Sequence, residues 1–181
     1  MSACRLARSP VCTILYVVTC LCLAYSVTAA ADWNVVAVTG DTAQGRTTIA
    51  RTTNEAGYAL EIYRDTNDAI RARLSMSSSL LNLADRTCPT YQIDRGKARN
   101  RSINDAPCIS QPEWAEFVLG YVDEGVVESS TLRGLMLGIN ITFRFVLESG
   151  DYRETVFSLS GSMRAMQTAF GQNITVTEPA R

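Results

Sequence analysis

Ile139–Leu147, INITFRFVL, alternates apolar and polar residues, and this two-residue period constrains the fold more than any other feature of the chain. Successive side chains of a strand point to opposite faces, so the period places Ile139, Ile141, Phe143, Phe145 and Leu147 together. Asn140, Thr142 and Arg144 are left facing outward. A Glu-Ser-Gly-Asp turn leads into Tyr152–Leu159, YRETVFSL, where the alternation resumes. Two alternating runs joined by a short glycine-containing turn predict a β-hairpin.

The same period recurs upstream. Trp33–Thr39, Gly45–Thr53 and Gly57–Arg64 read as strands, the last two separated by the turn-like TNEAG. Ala69–Met76 sets Ile70, Ala72, Leu74 and Met76 on one face against Arg71, Arg73 and Ser75 on the other, the pattern of a half-buried strand. Thr90–Asp94 and Phe117–Val122 are shorter candidates. After the hairpin the period becomes helical. Ser162 is placed to cap a helix that buries Met163, Met166 and Phe170 against a sheet and stops at Gly171. Ser129–Leu137 reads as a short helix or a turn, because Gly134 and Gly138 interrupt it, and Thr175–Arg181 as a short strand or a tail. The expected fold is mainly β. It is an antiparallel β-sandwich-like domain over residues 32–181, with a short C-terminal helix packed on it.

Residues 1–31 do not fit that domain. Arg5 and Arg8 precede an apolar run from Val11 to Tyr25, and small residues at Ala29 and Ala31 suit cleavage, so the segment reads as a signal peptide cut near 29–31. No charged residue lies between Arg8 and Asp32, which makes a retained membrane anchor the alternative. Cys20 follows Thr19 and Cys22 follows Leu21, neither being the small residue expected before a lipidated cysteine. The expected location is the periplasm or the exterior.

Export changes the cysteine count. Cys4, Cys12, Cys20 and Cys22 leave with the leader, so Cys88 and Cys108 remain as a pair in an oxidising compartment, where a disulfide is expected. The loop between them carries Arg95, Lys97, Arg99 and Arg101. The planar fork of arginine suits bidentate contacts with anions, so this loop is the candidate anion- or partner-binding site. A merely solvated loop is the simpler alternative.

Many chemistries are excluded. The chain has no histidine, which removes Ser-His and Cys-His nucleophile pairs and histidine zinc sites. Two cysteines cannot close a cysteine-only zinc site within one chain, and no GxxxxGK[ST] or GxGxxG phosphate loop is present. Without Arg5 and Arg8 the balance is 15 basic against 18 acidic residues, a net charge of −3 that argues against nucleic acid as a partner. No cofactor or metal is implied. Carboxylate pairs, Glu113 with Glu116 or Asp123 and Glu124 with Glu128, are the acid–base option left, and solvated loop acids are the plainer reading.

Asp32-Trp33 at the start of the mature chain, Gly138 before INITFRF, and the block FSLSGSMRAMQTAFG from Phe157 to Gly171 together resemble the invasion-associated locus B family. These are exported bacterial proteins of the periplasm or cell envelope. The resemblance is one of layout across most of the mature chain. It implies a β-sandwich-like domain with few helices, a role in envelope biology or host-cell interaction, and no catalytic residues. Family members often carry a cysteine just after the opening tryptophan; here WNVVAVT has none, so a single disulfide can form. The expected function is a non-catalytic binding module for a protein or an envelope polymer. A structural subunit of an envelope assembly and a carboxylate-based hydrolase are the alternatives. Membrane contact is expected only through an uncleaved leader.

Overall fold

Eleven strands and two helices follow one another in the computed structural model, which describes residues 33–39, 46–99, 108–171 and 173–179. The expected leader at 1–31 and Arg101 of the basic loop lie outside the described residues. The strands are β1 (Asn34–Thr39), β2 (Arg46–Thr53), β3 (Ala59–Arg64), β4 (Ala69–Ser75), β5 (Thr90–Ile93) and β6 (Cys108–Gln111). Then come β7 (Trp114–Tyr121), β8 (Val126–Glu128), helix α1 (Ser130–Leu137), β9 (Asn140–Val146), β10 (Tyr152–Ser158), helix α2 (Ser162–Phe170) and β11 (Thr175–Thr177). Six strands form one sheet in the order β1-β2-β3-β4-β7-β6, and three form a second in the order β10-β9-β5. Both are antiparallel throughout. A short parallel pair, β8 with β11, departs from the expected antiparallel pattern.

Alternation decides which side of each strand meets the core. Leu60, Ile62, Ile70, Ala72, Leu74, Ala115 and Phe117 of the large sheet are buried against Tyr91, Ile141, Phe143, Phe145 and Phe157 of the small one. Aromatic rings join the two sheets: Tyr91 meets Phe117 edge-on at 5.2 Å between centroids, and Phe117 lies 6.0 Å from Phe143. Such pairs add to the area they bury. Helix α2 packs against β1, β2 and β3, and α1 packs against α2, β7 and β11. The predicted disulfide is present: Cys88 and Cys108 are bonded, with Cα atoms 6.2 Å apart. It joins the segment leading into β5 to the edge strand β6, and so couples the two sheets.

Three details differ from the sequence reading. Ser162 does not cap α2. The cap position is Gly161 at φ 85°, with no side-chain bond, and Ser162 is the first helical residue. Its hydroxyl is fully buried and donates to the carbonyl of Leu135 at 2.7 Å, joining the two helices. The buried stripe of α2 is consequently Ser162, Ala165, Met166 and Phe170, while Met163 is exposed. Ile139, in phase with the core residues of β9, lies before the first residue of that strand and is 72% exposed.

Segment 129–137 resolves as a helix because Ser129 supplies a cap. Its hydroxyl accepts from the Leu132 amide at 3.1 Å and donates to the Leu119 carbonyl at 2.5 Å. Gly134 is tolerated within α1 because a Cβ there would lie 3.1 Å from Cδ1 of Ile93. A side chain there would require Ile93 on β5 to shift by a few tenths of an ångström. The interrupted helical pattern was therefore a packing feature rather than a turn signal.

Candidate functional site

The basic loop is built on the end of β5. Asp94 follows the strand at φ 48°, a left-handed conformation that aspartate tolerates. Its carboxylate accepts from the backbone N–H groups of Ile139 at 3.0 Å and Asn140 at 2.8 Å. The Asp94 amide in turn donates to the Asn140 carbonyl at 3.0 Å. Gly96 donates to the Ile93 carbonyl at 2.9 Å, and the Gln92 side-chain amide donates to the Gly96 carbonyl at 2.8 Å. The chain then returns to β5: Arg99 donates to the Tyr91 carbonyl at 2.7 Å, and Tyr91 to the Arg99 carbonyl at 3.3 Å. Residues 91–99 thus form a closed, internally bonded turn tied to the start of β9.

Arg95, Lys97 and Arg99 are exposed on this turn. Among the described residues none of the three has a carboxylate partner. The Arg99 guanidinium donates to the Ser130 hydroxyl, at 3.4 Å. Most other described arginines are paired. Arg51, Arg64, Arg71, Arg73, Arg86, Arg133, Arg144 and Arg153 each lie within 4 Å of an aspartate or glutamate oxygen. Arg164 on α2 is the other described side chain left without one. The acid inside the turn, Asp94, accepts from backbone amides and forms no ion pair with an arginine among the described residues. The turn therefore presents a net positive charge on a held backbone, with three cations outside any ion pair, whereas most surface cations of the domain are paired.

Gly138 holds the turn against the corner between α1 and β9. A Cβ at this position would lie 2.7 Å from the Gly134 carbonyl oxygen, 2.9 Å from Ile93 Cγ2 and 3.0 Å from an Asp94 carboxylate oxygen. Backbone cannot give way as a flexible side chain would. Gly138→Ala is expected to cost about 1–3 kcal/mol through overpacking, read as a lowered urea midpoint.

A second polar cluster escaped the sequence reading. On the outer face of the large sheet, the register sets Arg73 opposite Glu116 on β7 and Glu61 on β3, with Tyr63 opposite Arg71. Glu116 is only 6% exposed. Arg71 donates to one of its oxygens at 3.0 Å; Arg73 at 2.8 Å and the Tyr63 hydroxyl donate to the other. Arg71 also holds Asp65 at 2.5 Å, and the Arg73 guanidinium lies 4.7 Å from the centre of the Trp114 ring. Burial alone would push the Glu116 carboxyl up. The hydrogen bonds from Tyr63 and Arg73 and the charges of both arginines outweigh it and hold the carboxyl below its ordinary range. Burial and the bond to Glu116 push the Tyr63 hydroxyl upward.

Glu116 was expected to be a solvated loop acid or half of a catalytic pair with Glu113. It is neither solvated nor on a loop. Both its oxygens are taken by donors, while Glu113 lies exposed in the turn before β7. A carboxylate held ionised in this way has no proton to donate as a general acid. Asp123 and Glu124 are exposed in the tight turn between β7 and β8, with Glu124 at φ 46°, and Glu128 is exposed on β8. The outward arginines of β4 were visible as alternation. Their partner was not, because β7 is distant in sequence.

A surface cleft of about 460 Å³, lined in part by Leu80, Asn82, Leu147, Asp151 and Arg153, lies at the opposite end of β9. It brings together none of the sequence-predicted site residues. Among the described residues, no three cysteine, aspartate or glutamate side chains converge to hold a metal ion. No protein-family model, curated protein or solved structure matches the chain.

Proposed function

We propose that the chain is an exported, non-catalytic binding module that engages an anionic partner through the turn at 94–99, with Arg101 adjoining it in sequence. The observation that carries this reading is the contrast in charge compensation. Among the described residues eight arginines are paired with carboxylates, but Arg95, Lys97 and Arg99 on the turn, like Arg164 on α2, are not. The apolar leader and the Cys88–Cys108 bond support export to the periplasm or beyond, since structural disulfides persist in oxidising compartments. The layout resemblance to the invasion-associated locus B family points to the same setting. The carboxylate hydrolase has no comparable support, because Glu116 is committed to Arg71, Arg73 and Tyr63.

The protein recovered after export is expected to bind dextran sulfate but not neutral dextran, with affinity falling as salt rises. Arg95→Glu, Lys97→Glu and Arg99→Glu together should lower that affinity by roughly tenfold or more at an unchanged melting temperature, since one factor of ten is about 1.4 kcal/mol. Equal affinity of the triple variant would overturn the proposal.

A structural subunit remains the second reading, on one observation. Strand β1, NVVAVT, is an edge strand with no charge or proline, and Val35, Val36 and Val38 are each about 40% exposed. Edges of this kind are normally protected. Concentration-dependent association that is lost on Val36→Lys would favour it.

A further inference from the structure

Two exposed aliphatic residues flank the corner to which the basic turn is bonded. Leu137, at the end of α1, is 56% exposed, and Ile139, just before β9, is 72% exposed. Neither is loosely placed. The Ile139 amide donates to the Asp94 carboxylate, its carbonyl accepts from Leu159 at 2.8 Å, and Gly138 between them packs on Ile93 and Asp94. The corner carrying Leu137 and Ile139 and the turn carrying Arg95, Lys97 and Arg99 are therefore one mechanical unit. Segments 91–99 and 129–140 contain a single acid, Asp94, and backbone amides occupy it.

A soluble anion would account for the cations and leave the aliphatic pair unexplained. A bilayer with anionic headgroups accounts for both: phosphates meet the cations while apolar side chains enter the boundary between headgroups and acyl chains. The combination matters, because an apolar insertion or a basic patch alone gives only marginal, reversible attachment. A folded partner would have to match the shape of two protruding side chains, whereas a bilayer need not. We infer that this tip docks on an anionic lipid surface. The inference rests on the proposed anion-binding role of the turn. It adds a contact that the sequence reading confined to an uncleaved leader.

The test is co-sedimentation of the exported protein, its N-terminus read by mass spectrometry, with phosphatidylcholine vesicles made with or without phosphatidylglycerol. Any contribution of a retained leader is common to all variants, so their differences isolate the tip. Binding is expected to the vesicles containing phosphatidylglycerol, with a loss of roughly fivefold per reversed cation and on the order of 100-fold for all three. Leu137→Ser with Ile139→Ser should lower vesicle binding by roughly tenfold while leaving dextran sulfate binding unchanged. Leu137→Ala with Ile139→Ala serves if the serine pair does not fold. Vesicle affinity unaffected by the aliphatic substitutions would overturn the inference, as would binding to dextran sulfate without binding to vesicles. Both of those outcomes leave the anion-binding turn standing. Failure to bind either probe would overturn both proposals.

Discussion

Cys108→Ser, or reduction of the Cys88–Cys108 bond, lowers the unfolding free energy by about 3 kcal/mol. The cysteines are 20 residues apart, and closing a loop of that length removes unfolded-state entropy equivalent to roughly 3 kcal/mol at room temperature. For a domain of about 150 residues this corresponds to a fall in melting temperature of roughly 6–12 °C. Geometry adds a second consequence. The bond joins the segment before β5 to β6, so its loss releases the base of the basic turn from the large sheet as well as destabilising the whole. Thermal melts with and without reductant check this. Wild type in reductant should match Cys88→Ser with Cys108→Ser, and titration of both thiols as free in the native protein would contradict the pairing.

Glu116→Ala is expected to cost about 3 kcal/mol, near the lower end of the range for breaking a buried ion pair. Removing the carboxylate leaves two guanidinium groups and the Tyr63 hydroxyl without their shared acceptor. Arg71 and Arg73 retain 21% and 35% of their side-chain exposure, so water recovers part of the loss. The same cluster sets a pH dependence. The folded-state values of Glu116 and Asp65 are depressed, so their contribution is complete above the unfolded carboxylate range near about pH 4. It is lost as pH falls through the lower folded values. Urea midpoints should therefore hold steady from neutral to about pH 5 and fall below it. Glu116→Ala should flatten that fall. An equally steep acid limb in the variant would remove Glu116 as its source.

The period of the hairpin and of β4 was legible because it is local: every second residue of Ile141–Leu147 and Ile70–Leu74 faces the core. Pairing between distant segments was not. Arg71 and Arg73 were legible as outward residues, but Glu116 reaches them only through the β4–β7 register. Strands β6 and β8 have four and three residues, too few to carry a recognisable period. Ile139 misled because a period says which face a residue would take and not where the strand begins. Ser162 misled because a serine at a helix start can cap it or bond elsewhere, and here its hydroxyl reaches Leu135 on another helix. The basic loop could be read from composition alone. That Asp94 turns to the amides of Ile139 and Asn140, leaving three cations outside any ion pair, required the fold.

The basic turn is tested most directly by titrating the purified protein with inorganic phosphate while following its backbone amides and arginine side-chain N–H groups by NMR. Shifts are predicted to concentrate at residues 94–99 and at the Nε–H groups of Arg95 and Arg99, and to vanish when Arg95, Lys97 and Arg99 are reversed. Shifts of equal size at Arg164, or at the paired Arg71 and Arg73, would contradict a selective anion site on the turn.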